Sequence, residues 1–177
     1  GRTVRSLCYL MKNYRDVRLV MIAPQQFAIE PDIKEHLREQ GVAAGDRVAV
    51  MLEPSRAFYV AMFGAIKAGA IAVPLFTLFG PDGIRLRVND CQPKLLVTNA
   101  EKAEVAKGIA GTTTVIADDR FMASLAAYPA TIDISTRADA VAIFQYTSGT
   151  TRELPEAVKH THRAIVTLML AALYGTG

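Results

Sequence analysis

The residues of this sequence best suited to chemistry are Tyr146-Thr147-Ser148-Gly149-Thr150-Thr151. They follow a short apolar run, residues 141–144, rich in strand-forming side chains and free of polar interruption. A strand that empties into hydroxyls around a glycine is a candidate phosphate cradle. Small side chains let backbone N–H groups turn toward an anion, and Ser and Thr hydroxyls add further donors. The same composition also makes ordinary turns between two elements, so composition alone leaves both uses open. Two other nucleotide signatures are missing: no Gly-x-x-x-x-Gly-Lys-Ser/Thr occurs, and no Gly-x-Gly-x-x-Gly follows a strand.

The remaining reactive side chains make no comparable set. His160 and His162 are two apart, which on a strand would place them on one face, but no third ligand stands at metal-binding spacing, so no metal site is assigned. Cys8 and Cys91 are far apart; Cys91 ends an apolar helical stripe and reads as a small core residue. Arg85, Arg87 and Asp90 read as the water-facing side of a helix. The net charge is only +3 with acids and bases interspersed, and no basic block could track a nucleic-acid backbone. With 51% hydrophobic and 21% charged residues, the composition is that of a folded domain rather than a disordered chain. The longest apolar stretches, 57–66 and 164–174, fall short of the ~20 residues a bilayer span needs. A reducing cytoplasmic setting is the default expectation.

The elements that must position the hydroxyl-rich run alternate in type. Val17 lies in a candidate strand ended by Pro24, and a helix begins at Pro31, with Ile33 and Leu37 on one face and Gly41 as its left-handed stop. Gly45-Asp46 turns into a strand over 47–52 that is apolar on both faces, which requires cover on both sides. A helix over 56–67 follows, apolar around most of its girth and expected to be largely buried. Then come a strand at 71–75, a helix from Pro81 with Ile84, Val88 and Cys91 inward, and a strand at 94–98. A helix at 101–109, a strand at 113–117 and a helix at 119–127 complete the series, before a polar linker over 128–139. Beyond the loop, residues 157–161 read as a strand and 162–173 as a helix whose stripe Ile165, Leu168, Met169 and Ala172 is expected in the core. This alternation predicts an α/β fold with a mostly parallel sheet covered by helices on both faces.

The order of the pieces is more specific than any one of them. Gly41-Val42-Ala43-Ala44-Gly45-Asp46-Arg47-Val48-Ala49 precedes Gly64-Ala65-Ile66-Lys67-Ala68-Gly69-Ala70 and Val73-Pro74-Leu75. Then come the hydroxyl-rich run and Val158-Lys159-His160-Thr161-His162-Arg163. Together they resemble the adenylate-forming (AMP-binding) superfamily, most similar to its acyl-CoA synthetases, from Gly41 to about Leu173.

The resemblance implies that the fold is part of the large N-terminal domain of such an enzyme. It implies ligation in two steps: a carboxylic acid attacks the α-phosphorus of Mg-ATP to give an acyl-adenylate and pyrophosphate, and the CoA thiolate then displaces AMP. ATP, Mg²⁺ and CoA are therefore the implied cofactors and co-substrates. By the same resemblance Thr147, Ser148, Gly149, Thr150 and Thr151 wrap the pyrophosphate, and His162 stands where the family often has histidine. Two departures matter. The family continues Gly-x-Pro-Lys-Gly, whereas this sequence has Arg152-Glu153-Leu154-Pro155-Glu156-Ala157, with Glu156 in place of the lysine. A carboxylate beside phosphates needs a cation between them, which Arg152 or Lys159 could supply, unless Glu156 faces solvent. The family's ribose-binding acid, hinge and late lysine all lie further along than Gly177. Residues 1–177 are thus expected to be a single incomplete N-terminal adenylation-domain portion, with 1–28 the least readable. Such a portion is expected to be inactive alone and able to associate with copies of itself through uncovered apolar surface. An amino-acid-adenylating domain and a non-catalytic remnant are the alternatives.

Overall fold

The computed structural model describes residues 39–107, 111–128, 136–146 and 157–175. The expected elements at 17–23 and 31–37, Cys8, and the run 147–156 lie outside these residues. The described elements are β1 (Arg47–Met51), α1 (Arg56–Lys67), β2 (Ile71–Pro74), α2 (Pro81–Cys91), β3 (Leu95–Thr98), α3 (Ala100–Val105), β4 (Thr113–Ile116), α4 (Asp119–Ser124) with a 3₁₀ turn (Leu125–Ala127), β5 (Val141–Tyr146), β6 (Ala157–Thr161) and α5 (His162–Gly175).

Local chemistry explains most boundaries. Ser55 caps α1 by accepting from the Phe58 N–H at 3.2 Å, and Gly69 follows the helix at φ 74°, a conformation costly for any side chain with a Cβ. Pro81 opens α2, where its missing N–H costs nothing. Asn99 and Asp118 cap α3 and α4 by accepting from Lys102 N–H and Phe121 N–H. At the other end of α2, Arg47 donates to the Cys91 and Gln92 carbonyls at 2.7 and 3.1 Å, so the first strand satisfies the open end of the second helix.

The strands form one six-stranded sheet in the order β4-β3-β1-β2-β5-β6, parallel except for the final β5–β6 pair. Its two faces follow from the hand of the crossovers. A right-handed connection that reverses direction across a sheet must place its helix on the opposite face. The chain steps from β1 to β2 through α1, which packs with Val48, Val50 and Ala72. It then reverses over β1 to reach β3 through α2, which packs on the other face with Ala49, Met51 and Val73. Ala106, just after α3, continues that second cluster, and the return to β5 places Leu125 back in the first. Strict alternation along β1 between the two clusters is why that strand is apolar on both sides.

Three expectations differ from the structure. In α1 only Ala61, Gly64, Ala65 and Ile66 are buried, while Phe58, Met62 and Phe63 are partly covered, since the helix meets the sheet along one stripe. The stripe expected in the core of α5 is not buried: Leu168 is 61% exposed and Ala172 is exposed, with only Ile165 packed on the first cluster. Arg87, expected in water, is 7% exposed; helix α2 turns it beneath the aromatic ring of Phe79 instead.

Candidate functional site

Five of the strands run parallel, so the ends of β1, β2, β3 and β5 share one edge of the sheet. In open α/β sheets ligands bind outside that carboxyl edge, at points where the strand order reverses. Here the order reverses between β1 and β3, and Met51, Pro74, Thr98 and Tyr146 are the last strand residues on that side. Thr98 is fully buried and donates its hydroxyl to the Met51 carbonyl at 2.8 Å, tying two of these ends together. Buried Thr77, after β2, donates to the Glu53 carboxylate after β1.

Residues Thr147, Ser148, Gly149, Thr150 and Thr151 lie outside the described residues, as does Glu156. Their neighbours on either side are described. Tyr146 and Ala157 pair across the antiparallel β5–β6 ladder, so the chain leaves and re-enters the sheet at its carboxyl edge. His162 is at the other end of β6, where its backbone N–H donates to Ala140 O at 3.0 Å. The five residues of β6 separate it from the loop by about 16 Å at roughly 3.3 Å per residue. The structure therefore does not bring His162 next to the carboxyl edge. Its Nε2 is buried without a hydrogen-bond partner, and desolvation lowers its pKa from the ordinary value of 6.5. His160 pairs with Ile143 within β6, and the Lys159 ammonium is 5.5 Å from the centre of the Phe144 ring.

The side chain of Tyr146 carries a constellation that sequence reasoning missed. Its hydroxyl donates to the Asp90 carboxylate and lies 3.3 Å from the Arg87 carbonyl, both on α2. The Arg87 guanidinium is 3.7 Å from the centre of the Phe79 ring and 5.8 Å from that of Tyr146, and it donates to Gly83 O at 2.9 Å. Its Nε has no hydrogen-bond partner, and burial lowers its pKa, opposed by the phenol of Tyr146. Desolvation first, then the bond to Asp90, raises the pKa of Tyr146, keeping the phenol a donor. Cys91, buried beside it, is pushed up to about 11 chiefly by desolvation, which makes it an inert core thiol. The available signal was the spacing of Arg87 and Asp90, three apart and hence on one helical face. Among the described residues no group of three or more His, Cys, Asp or Glu could hold a metal ion.

Residues 34–176 match the AMP-binding enzyme family. The chain belongs to that family. It is 32% identical over 161 residues to the long-chain-fatty-acid–CoA ligase FadD13 of Mycobacterium tuberculosis, covering 85% of this chain and 31% of that protein. It is 36% identical over 141 residues to the long-chain-fatty-acid–AMP ligase FadD32 of Mycolicibacterium smegmatis, covering 73% and 22%. Among solved structures, ATP-bound MatB from Rhodopseudomonas palustris superposes with a TM-score of 0.70 at 27% identity, over 81% of this chain and 30% of that one. The chain thus spans less than a third of the length of these relatives. The expected fold, a mostly parallel sheet covered on both faces within the N-terminal part of an adenylate-forming enzyme, is the one observed. Among the described residues no helix is long and apolar enough to cross a membrane.

Proposed function

We propose that this chain supplies the pyrophosphate side of the ATP site in an ATP-dependent acyl-CoA synthetase. The carboxylate of a small-molecule carboxylic acid attacks the α-phosphorus, an acyl-adenylate forms as pyrophosphate leaves, and the CoA thiolate then takes the acyl group and releases AMP. Mg²⁺ enters with ATP as part of the substrate. The observation that carries this proposal is the position of the hydroxyl-rich run. It starts directly after Tyr146, at the carboxyl edge of a sheet wound in both directions.

Charge develops on the leaving phosphates, and donors fixed in place before the reaction stabilise it without reorganising. Thr147, Ser148, Thr150 and Thr151 bring hydroxyls, and Gly149 lets the backbone approach. We assign the phosphate contacts to this run alone. His162, a strand's length away, starts α5 instead. A cytoplasmic setting, where ATP and CoA are both available, is part of this proposal.

One observation favours a second reading, in which the protein binds nucleotide without turnover: Glu156 replaces the lysine expected beside the phosphates. Exchange of pyrophosphate into ATP separates the two. In the complete protein, exchange should depend on an added carboxylic acid, tested with short and long fatty acids, benzoates and amino acids. Thr150→Val with Thr151→Val should weaken ATP binding by about 1–3 kcal/mol per charge-assisted bond lost. Exchange with none of the acids would favour the non-catalytic reading, and unchanged ATP binding in the double variant would remove the run from the site.

A further inference from the structure

The two sides of β2 are paired unequally. Four residue pairs join it to β1, and four each join β1 to β3 and β3 to β4. Among the described residues one pair, Ala72 opposite Ile143, joins β2 to β5. The sequence supplies the reason. Ile71 and Leu75 donate their N–H groups to the Asp46 and Val50 carbonyls on the β1 side, so Ala72 and Pro74 face β5. Proline has no N–H, and the next donor toward β5 is missing. Across this seam the contacts are mostly between side chains. Ile143 and Ile165 pack on the first cluster, Phe144 and Tyr146 on the second, all partly covered; of β5, β6 and α5 only Ala142 is buried. One contact is directional: the Tyr146 hydroxyl donates to the Asp90 carboxylate on α2, with the Arg87 carbonyl 3.3 Å away. Among themselves β5, β6 and α5 are better joined. Five residue pairs link the two strands, and the N–H groups of His162 and Arg163 donate to the Ala140 and Ala138 carbonyls.

We propose that β5, β6 and α5 open from the sheet as one unit while β1 to β4 stay folded, and that the Tyr146–Asp90 bond is the latch holding that unit shut. A segment joined internally by many bonds and externally by few parts first at the external seam, at a free energy below that of global unfolding. The latch is strong for a single contact because its acceptor is charged. Helix α2 can hold it: Ile84, Val88 and Cys91 anchor the helix in the second cluster, and Arg47 bonds its terminal carbonyls.

Native-state hydrogen exchange of the complete protein tests both parts, read on peptides that include β1, β3, β5, β6 and α5. The amides of β5, β6 and α5 should share one opening, with protection at least about tenfold lower than in β1 and β3. Leu95 lies in the half that stays folded. Leu95→Ala should therefore speed exchange in β1 and β3 by about thirtyfold or more and leave β5, β6 and α5 within about twofold. Tyr146→Phe keeps the ring and removes the latch, and should speed exchange in β5, β6 and α5 on the order of tenfold. Asp90→Ala should match it, and the two together should do no more than either alone. Leu95→Ala speeding both halves alike would mean that the sheet opens only as a whole, and would overturn the proposal. Unchanged exchange in Tyr146→Phe, or α5 exchanging apart from β5 and β6, would overturn it as well.

Discussion

The sheet has two unequal halves. In β1 and β3 every residue except Arg47 is buried, and both faces are covered by helices. In β5, β6 and α5 only Ala142 is buried, although α5 is more apolar than α1. Apolar content therefore does not decide burial here; what packs on each surface does. The strands of the covered half lie between two layers, whereas α5 touches the core chiefly through Ile165. The proposed phosphate run starts from the open half, and Tyr146 is where that half is tied to the closed one.

The largest expected effect tests the closed half. Leu95 is fully buried between β1 and β4, and Leu95→Ala should destabilise the protein by about 2–5 kcal/mol through lost burial and a cavity its neighbours fill only in part. Denaturant titration measures it. A loss below about 1 kcal/mol would mean that the centre of the sheet is no better packed than its margin.

A smaller effect comes from His162, at the join of β6 and α5. Burial lowers its pKa below 6.5, so the folded protein resists a proton that the unfolded chain accepts. The sign follows: its contribution is complete above about pH 6.5 and is lost as pH falls toward the lower folded value. His162→Gln should flatten the decline in stability below pH 6.5 without altering the alkaline side. Thermal unfolding at a series of pH values reads this out, and identical acid limbs in both proteins would show that His162 is hydrated in solution.

These halves were not equally legible in the sequence. The strands at 47–52, 71–75 and 94–98 declare themselves because both of their faces are apolar, and Ser55, Pro81 and Gly69 mark helix ends by local chemistry alone. Burial on α5 was misjudged because a periodic apolar stripe shows that a helix can be covered, not that anything covers it. Arg87 was misplaced for the complementary reason. A guanidinium looks like a surface group until the fold supplies an aromatic face, and Phe79 is eight residues away in a segment with no periodicity. The link from Tyr146 to Asp90 spans 56 positions and depends on the order β1-β2-β5, which local spacing does not encode.

The smallest expected effect is the sharpest test of the comparison. Leu168 is a large apolar residue at the centre of a helix, and by composition alone Leu168→Glu would rank with Leu95→Ala. At 61% exposure it should instead change stability by no more than about 0.5 kcal/mol, because water already reaches most of the side chain and glutamate is as good a helix former as leucine. The charge would also break up an apolar surface that includes Leu173 and Tyr174, 67% and 74% exposed, so the protein should self-associate less in sedimentation. A destabilisation approaching that of Leu95→Ala would show that α5 is covered in solution. The two halves would then differ in what packs against them, not in whether they are packed.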